Sequence, residues 1–378
     1  MVYDIAIVGA GCAGWQLLYQ LSLRPDWKEK SVLLIEAHEQ PLIYPTWCFW
    51  VKEEHPFEFL SSKAWTGISI GLNSSVLEKP IHPYRYIYID GERFYSYFLN
   101  EFLPKFPQIN FIKPLKVDSV TKDSDSGFLI NAQKSTFKAK KVYSSIDFSP
   151  SPPLSGQLNL SQNFKGWKVQ FSEPVWDEKK ALFMDFRESS SSPFEFMYIL
   201  PFSSTEGLVE WTTFYHNNQL EPDYESKIQH YLEIYFPGKK YTIINREKGR
   251  IPMSNKTFKG MESNGVIYLG TVAGMIKPST GYTFNRITKD SKALAEKLEG
   301  KPSMRYHSNV KFSYYDTLIL RILRDNPEKA MNIFKALFRN TSYSTIFKFL
   351  DEETTFWEDV LIFSRLPFFP LIQAIFRK

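Results

Sequence analysis

A glycine-rich segment near the N-terminus is the first part of the sequence whose residue types suggest chemistry. Residues 9–14 read GAGCAG, a G-x-G-x-x-G pattern between an apolar run and a stretch of helical character. Between a strand and a helix, this pattern aims free backbone N–H groups and the positive end of a helix dipole at a pyrophosphate. Gly9 permits the tight turn, Gly11 the approach of the phosphates, and Gly14 the packing of helix on strand. The residues expected to contact a cofactor here are Gly9, Ala10, Gly11, Ala13 and Gly14.

Glu36 completes this pattern. It ends a second apolar run, residues 31–35, about 20 positions after Gly14. A carboxylate at this position can accept hydrogen bonds from both ribose hydroxyls, and it repels a phosphate at the 2′ position. The pattern predicts a bound dinucleotide, with an ordinary glycine turn in a βαβ unit as the alternative. The choice of FAD over NAD rests only on analogy with folds that begin in this way.

A second glycine segment repeats the strand, loop and helix order near residue 270. Residues 265–270 are typical of a strand, and a helical stretch runs to residue 298. Alone, the intervening loop is as well explained as a simple connection. Together with the first turn, it matches a two-part site in which one turn holds the ADP half of FAD and the other the flavin half. The residues expected to contribute are Gly270, Thr271, Gly274, Thr280 and Gly281. Many such sites carry an acid where Thr271 stands, so backbone groups or Thr271 must hold the ribityl chain.

The segment between these halves predicts an antiparallel sheet. Short alternating strands are expected at residues 166–171, 181–186, 196–201 and 208–214. Within the last strand, alternation places Glu210 on one face with Leu208 and Thr212, and Trp211 on the other. Glu210 either points to solvent from a half-exposed strand or is buried in an apolar pocket. In a pocket its pKa would be raised, which suits a general acid.

Composition limits the remaining possibilities. The 378 residues include 32 Phe, 21 Tyr and 9 Trp, but only 2 Cys and 6 His. Two cysteines exclude a disulfide framework and a cysteine-based zinc cluster, and a net charge of +5 is too small to indicate nucleic acid. No signal peptide and no transmembrane helix are expected. Residues 301–378 are basic and aromatic, which is typical either of a helix at a membrane surface or of a packed helical tail.

These elements predict an α/β fold. We expect a two-part FAD-binding Rossmann-like domain of the glutathione-reductase type, an inserted antiparallel substrate sheet and a C-terminal helical region. The predicted segments are residues 1–155 and 246–300 for the two parts of the FAD domain, 156–245 for the sheet, and 301–378 for the helices.

Several motifs in order along the chain resemble those of the flavin-dependent lycopene cyclases, in their bacterial beta-cyclase branch. Besides the glycine turn and Glu36, they lie at residues 45–50, 84–94, 183–186, 196–203, 208–212, 249–253 and 274–282. The resemblance implies an apolar polyene substrate, lycopene, whose linear ends close into beta-ionone rings without net redox change. It also implies FAD in its reduced form, with NADPH as the electron source.

The resemblance assigns roles to particular side chains. Glu210 occupies the position of the family's favoured acid or base. Asp185 is a second carboxylate candidate, although a strand-end hydrogen-bond acceptor is its simpler explanation. The aromatic residues expected along the polyene slot are Trp47, Trp50, Trp211 and Tyr282. The alternatives are a FAD-dependent hydroxylase or reductase of prenyl or carotenoid lipids, and a non-catalytic flavoprotein that only binds carotenoid.

The C-terminal region carries two further expectations. Aromatic residues from Phe334 to Phe376 would dip into the lipid that holds the substrate, which predicts a cytoplasmic protein bound peripherally to the inner face of the membrane. Residues 349–354, FLDEET, superficially resemble the acidic motif of plant cyclases but lie out of order. We interpret them as a solvated acidic turn.

Overall fold

The computed structural model describes residues 1–41, 44–123, 127–148, 157–190, 192–216, 221–255, 262–306 and 309–367. Its strands are β1 (Val2–Val8), β2 (Val32–Ile35), β3 (Trp47–Val51), β4 (Lys63–Trp65), β5 (Gly67–Leu72), β6 (Ser75–Pro80), β7 (Arg85–Ile89), β8 (Ile109–Ile112), β9 (Ser119–Lys122), β10 (Phe128–Ala132), β11 (Ser135–Ser144), β12 (Asn159–Phe171), β13 (Lys180–Asp185), β14 (Phe194–Pro201), β15 (Glu206–His216), β16 (Tyr241–Ser254), β17 (Glu262–Ser263) and β18 (Val266–Tyr268). Its α-helices are α1 (Cys12–Ser22), α2 (Gly91–Tyr97), α3 (Tyr224–Tyr235), α4 (Phe284–Leu298), α5 (Val310–Asp325), α6 (Pro327–Asn340), α7 (Tyr343–Leu350) and α8 (Phe356–Ser364).

The first sheet carries both glycine turns at one edge. Its main path runs β17-β18-β11-β1-β2-β8, and β9 and β10 extend β11 as an antiparallel meander. The entirely apolar β2 is buried throughout, as expected of a central parallel strand. Because β1, β11 and β18 are parallel to one another, their carboxyl ends meet at the same edge. Helices α1 and α4 follow the two turns and pack together, and Thr288 Oγ1 donates to Gln16 Oε1 at 2.6 Å between them.

The second sheet contains the four predicted strands. Its order is β16-β12-β15-β14-β13-β5-β6, and β12 to β15 include the four segments expected from the alternation pattern. The sheet is not purely antiparallel, because β13 pairs with β5 in parallel. The predicted α/β fold with two glycine turns, an inserted sheet and C-terminal helices is confirmed.

Two additions to this sheet come from outside the segment predicted for it. Strands β5 and β6 belong to the first 80 residues, and β16 crosses the predicted boundary at residue 245. Sequence periodicity identifies strands but not their partners, and a partner so far away along the chain leaves no local signal. The division into four segments stays a prediction.

The two faces of the second sheet are covered by different elements. Helix α3 covers the face that includes Trp167, Met197 and Trp211. The opposite face, with Leu208 and Phe196, packs against a small sheet of order β3-β7-β4 and against the C-terminal helices α5, α6 and α7. This second face is therefore enclosed by residues from both ends of the chain.

The C-terminal helices differ from what was expected of them. Phe338 and Phe347 are 2% and 0% exposed in the core beside the second sheet, so they cannot enter lipid as predicted. On α8, however, Phe356 and Trp357 are 63% and 76% exposed. The end of the predicted lipid-facing stretch, residues 368–376, lies outside the described residues. Within the described ranges, no helix combines the length and apolarity that crossing a bilayer requires.

Candidate functional site

The first glycine turn has one open side. Gly9 has a φ of +99°, and a Cβ there would collide with the Ser145 hydroxyl. A Cβ on Gly14 would collide with the Gly9 carbonyl oxygen, whereas a Cβ on Gly11 would meet nothing within 4 Å. Gly11 is also the N-cap of α1. Because glycine has no side chain to cap the helix, the first N–H groups of α1 remain available as donors to a ligand. A dinucleotide pyrophosphate fits this turn, because packing requires two of its glycines and the third faces open space.

Glu36 stands beside this turn as predicted by its spacing. Its Oε2 accepts a hydrogen bond from the Ala10 N–H at 2.8 Å, and its Oε1 accepts one from the His38 N–H at 3.1 Å. The carboxylate is therefore fixed at the end of β2, next to the open side of the turn. This is a suitable position for accepting ribose hydroxyls.

The second glycine turn contacts the first directly. Gly270 has a φ of +59°, and a Cβ there would lie 3.0 Å from the Ala13 Cβ on α1. Thr271 is exposed, and the buried Thr280 Oγ1 meets no hydrogen-bond partner in the described part of the chain. A buried hydroxyl without a partner is unusual in a folded protein and marks a place where a ligand can bind. Both turns thus suit the two halves of a flavin dinucleotide.

Glu210 is buried, so the interpretation of a solvent-facing carboxyl is wrong. It is 7% exposed on β15, in register with Tyr198 of β14 and Gly166 of β12. Thr212 Oγ1 donates to Glu210 Oε1 at 2.9 Å. Burial raises the pKa of Glu210 well above its usual range, and the neighbouring Glu247 carboxyl raises it further. These surroundings favour the neutral, protonated form of the Glu210 side chain.

Aromatic hydroxyls and rings surround this acid. The Tyr86 hydroxyl lies 2.7 Å from that of Tyr198 and 3.3 Å from that of Tyr282. Trp50 meets Tyr282 edge-on with ring centroids 4.5 Å apart and stacks on Phe347 at 4.6 Å. Burial raises the pKa of the Tyr282 hydroxyl, and the Glu210 carboxyl is near enough to act on that group electrostatically. The structure therefore brings Trp50 and Tyr282 into the predicted neighbourhood of Glu210.

Two other predicted aromatic residues lie elsewhere. Trp211 is on the α3 face of the second sheet, where its Nε1 donates to Glu195 at 3.1 Å. Neighbouring residues of a strand point to opposite faces, so Trp211 cannot line the same space as Glu210. Trp47 is on the far side of the small sheet from Trp50 and packs on Phe94 and Phe284, with ring centroids 4.9 and 5.3 Å apart. It faces the cofactor domain.

Asp185 also lies on the α3 face. Its Oδ2 accepts from Arg187 Nη2 at 2.6 Å and from the Tyr231 hydroxyl, and Arg187 Nε donates to Oδ1 at 2.9 Å. Both carboxyl oxygens of Asp185 are thus engaged as hydrogen-bond acceptors by Arg187 and Tyr231. The structure does not bring Asp185 to Glu210, and its contacts agree with the simpler explanation of a structural acceptor.

The acidic turn at residues 349–354 is docked, which corrects our interpretation of it as solvated. The Glu352 side chain is 6% exposed, with its Oε1 3.1 Å from both Lys277 Nζ and Arg286 Nη2. Burial raises the pKa of Asp351 to about 6. Lys277 also pairs with Asp316 of α5 at 3.1 Å. The second glycine segment is thereby tied to the C-terminal helices by buried ion pairs.

Some residues of the site were not predicted. These residues come from three different strands: Tyr86 from β7, Tyr198 from β14 and Glu247 from β16. They are brought to the site by the pairing of these strands with β3, β15 and β12, which no sequence pattern reveals. Glu247 lies in the charged stretch REKGR, which by itself is typical of a solvated edge strand.

Comparison with known proteins gives consistent relatives. The family model described as lycopene cyclase protein matches residues 4–376. Lycopene beta cyclase from Capsicum annuum is 25% identical over 337 residues, which are 83% of this chain and 64% of that protein. The enzyme of the same name from Solanum lycopersicum is 24% identical over 76% of this chain and 58% of its own length. The chain thus spans about three fifths of the curated relatives it matches.

Solved structures share the fold at low sequence identity. A geranylgeranyl bacteriochlorophyll reductase-like protein from Thermoplasma acidophilum has a TM-score of 0.57 at 13% identity, covering 99% of this chain and 96% of its own. A flavoprotein/dehydrogenase from Cytophaga hutchinsonii has a TM-score of 0.58 at 11% identity, covering 93% and 92%. The halogenase PltM in complex with phloroglucinol and FAD has a TM-score of 0.56 at 14% identity, covering 93% and 82%.

Proposed function

The chain belongs to the lycopene cyclase family, and we propose that it is a lycopene beta-cyclase, which closes the linear ends of lycopene into beta-ionone rings. The observation that carries the proposal is Glu210, a buried carboxyl on a face enclosed by aromatic side chains. The named plant relatives support the same substrate.

The proposed chemistry needs an acid, an apolar enclosure and a way to stabilise positive charge. Glu210, protonated in its resting state, gives its proton to a terminal double bond of the polyene and leaves a tertiary carbocation. The neighbouring double bond attacks that cation, and loss of a proton completes the ring. The faces of Trp50 and Tyr282 attract the cation, and the water-poor surroundings strengthen that attraction. No electron is gained or lost overall, so the reaction is an isomerisation.

Reduced FAD, with NADPH as its electron source, is the proposed cofactor. When bound, it supplies an electron-rich ring that stabilises positive charge. Gly9, Ala10, Gly11, Ala13 and Gly14 would hold its pyrophosphate, Glu36 its ribose, and Gly270, Thr271, Gly274, Thr280 and Gly281 its flavin half. The open side of Gly11 and the unpartnered Thr280 hydroxyl support this arrangement.

We also propose peripheral contact with the cytoplasmic face of a membrane, where an apolar polyene dissolves. The exposed Phe356 and Trp357 of α8 support this proposal, because large aromatic side chains favour the membrane interface.

The pigment spectrum of lycopene-producing bacteria tests the function. Expression of the chain should convert lycopene into cyclised carotenes, and Glu210→Gln should lower the initial rate at least a hundredfold, because the amide cannot donate the required proton. Glu206→Gln, on the same strand but paired with Lys168 at the surface, is the matched control and should leave the rate unchanged. Persistent lycopene beside a folded, flavin-loaded parent would contradict the proposal.

Cofactor stoichiometry separates the cyclase from the oxidoreductase alternative. A hydroxylase or reductase consumes NAD(P)H or oxygen in proportion to product, whereas the cyclase needs reduced flavin only in catalytic amounts. A carotenoid-binding protein without activity would retain lycopene unchanged in both the parent and Glu210→Gln.

A further inference from the structure

We propose that Glu247 forms a proton-sharing pair with Glu210 across Gly166 and thereby holds the proton that Glu210 gives to the substrate. This assignment makes Glu247 a positioning residue, and its chemical consequence rests on the function proposed above.

The register of three strands places the two acids on either side of Gly166. Gly166 of β12 pairs with Glu210 on β15 and with Glu247 on β16, so the three residues form one row across the sheet. A Cβ on Gly166 would lie 2.9 Å from Leu208 Cδ1, 3.1 Å from Glu247 Cγ and 3.4 Å from Glu210 Cβ. The missing side chain of Gly166 is therefore the space in which the two acids meet.

The hydrogen bonding of Glu247 also supports the pairing with Glu210. Its Oε1 atom is buried, and within the described ranges no donor reaches it. A protonated Glu210 supplies the missing donor, because two carboxyls that share one proton satisfy each other and avoid two buried like charges. Burial raises the pKa of Glu247 as well, while its contact with Glu210 lowers it. We therefore place the shared proton on Glu210.

The groups that face this pair do not favour ionisation of both acids. They are Cys48 of β3, Tyr88 of β7, Asp90 before α2 and Tyr282 before α4, together with Tyr198 of β14, which is in register with Glu210, and Tyr86 of β7, which hydrogen-bonds to Tyr198. None of these side chains carries a positive charge. Arg246, next to Glu247 on β16, points to the α3 face, where it lies over the Trp167 ring.

The pair also closes the proton balance of the reaction. Glu210 gives its proton to a substrate carbon and becomes a second carboxylate, which is unfavourable beside the Glu247 charge. The cyclised cation then breaks a C–H bond, its electron pair forms the ring double bond, and the proton returns to the pair. One proton leaves and one comes back, as an isomerisation requires.

Infrared spectroscopy over a pH titration tests the pairing without any need for activity. The parent protein should show the C=O stretch of a protonated carboxyl above the usual pH range of such groups, and Glu210→Gln should remove the Glu210 component of this signal while leaving that of Asp351. In Glu247→Gln, the Glu210 component should be lost about one pH unit or more lower, because the like charge is gone. Glu247→Asp should restore part of the shift, and Glu206→Gln should titrate as the parent does. Unchanged titration in Glu247→Gln would overturn the pairing.

A second variant allows the pairing to be tested even if Glu247→Gln misfolds. If Glu247→Gln does not fold, Gly166→Ala should separate the two acids and lower the same titration, whereas an unchanged signal would again overturn the pairing.

The pH dependence of cyclisation distinguishes the two proposals. The alkaline limit of activity should move to lower pH in Glu247→Gln, whereas a uniform loss of rate at every pH would indicate a structural role and overturn the pairing. An infrared shift without any cyclised product from the parent would support the pairing and contradict the function. Cyclisation by a parent whose carboxyl does not respond to Glu247→Gln would support the function and contradict the pairing.

Discussion

Glu210 illustrates how a single residue can serve chemistry at a cost in stability. Its pKa is raised well above the ordinary carboxyl value because the side chain is buried. The folded protein therefore keeps a proton that the unfolded chain loses as the pH rises. Stability contributed by the protonated form is fully present below the unfolded pKa and declines as the pH rises towards the raised folded value.

Glu210→Gln should remove this pH-dependent loss, so we expect the variant to gain stability over its parent as the pH rises. Urea unfolding at pH 5 and pH 8, in the same flavin state, measures the effect. The difference in unfolding free energy should grow by about 1.4 kcal/mol for each pKa unit by which Glu210 is raised within that interval. Glu206→Gln should show no such growth. An equal difference at both pH values would contradict the raised pKa.

The two acids of the pair also show what could be predicted at this scale. Alternation along β15 correctly separated the Glu210 face from the Trp211 face, although Trp211 was still expected in the slot. Glu247 could not be identified, because its importance depends on the pairing of β16 with β12, which no local pattern encodes.

At the scale of elements, different glycines of the turn between β1 and α1 serve folding and cofactor binding. Gly14→Ala forces a Cβ against the Gly9 carbonyl and should lower the unfolding free energy by about 1–3 kcal/mol. Gly11→Ala meets nothing within 4 Å, and because alanine is a poorer N-cap than glycine, the flavin-free protein should lose no more than about 1 kcal/mol of unfolding free energy. The added methyl group occupies the open side of the turn, and flavin affinity should fall at least tenfold.

Flavin titration by fluorescence and urea unfolding of the flavin-free protein measure the two quantities separately. Gly238→Ala is a control for flavin affinity alone, because Gly238 lies after α3, far along the chain from the turn, whereas its φ of +74° strains an alanine and should lower the unfolding free energy by about 1 kcal/mol. Retained flavin affinity in a folded Gly11→Ala protein would contradict the assignment of the turn.

Elements with a strong local signal were predicted, and elements defined by docking were not. The glycine turns and β12 to β15 follow from residue types within a few positions. Residues 349–354 have the composition of an exposed turn, and Lys277 and Arg286, more than 60 positions away in sequence, help to bury Glu352. Amino-acid composition does not reveal ion pairs between residues that lie so far apart in the sequence.

For the whole molecule, the aromatic residues, which make up 16% of the chain, have several uses. Some of them fill the core of the cofactor domain, some cover Glu210, and some pack under α3. Composition indicated that large apolar groups had to be buried, but their distribution over three clusters required the fold. Among the described residues, a small exposed remainder that includes Phe356 and Trp357 is accessible to a lipid surface.

This remainder makes the membrane contact of the whole protein testable. Replacing both Phe356 and Trp357 by Ser removes two exposed rings, each worth about 1.5–3 kcal/mol when buried, so binding to phosphatidylglycerol-containing vesicles should weaken at least tenfold. Sedimentation with vesicles measures the binding. Ile234→Ser is the matched control, because Ile234 is 43% exposed on α3, across the second sheet from α5, α6 and α7. Since the rings of α8 are solvent-exposed, the double variant should unfold like its parent, and unchanged vesicle binding in it would contradict contact through α8.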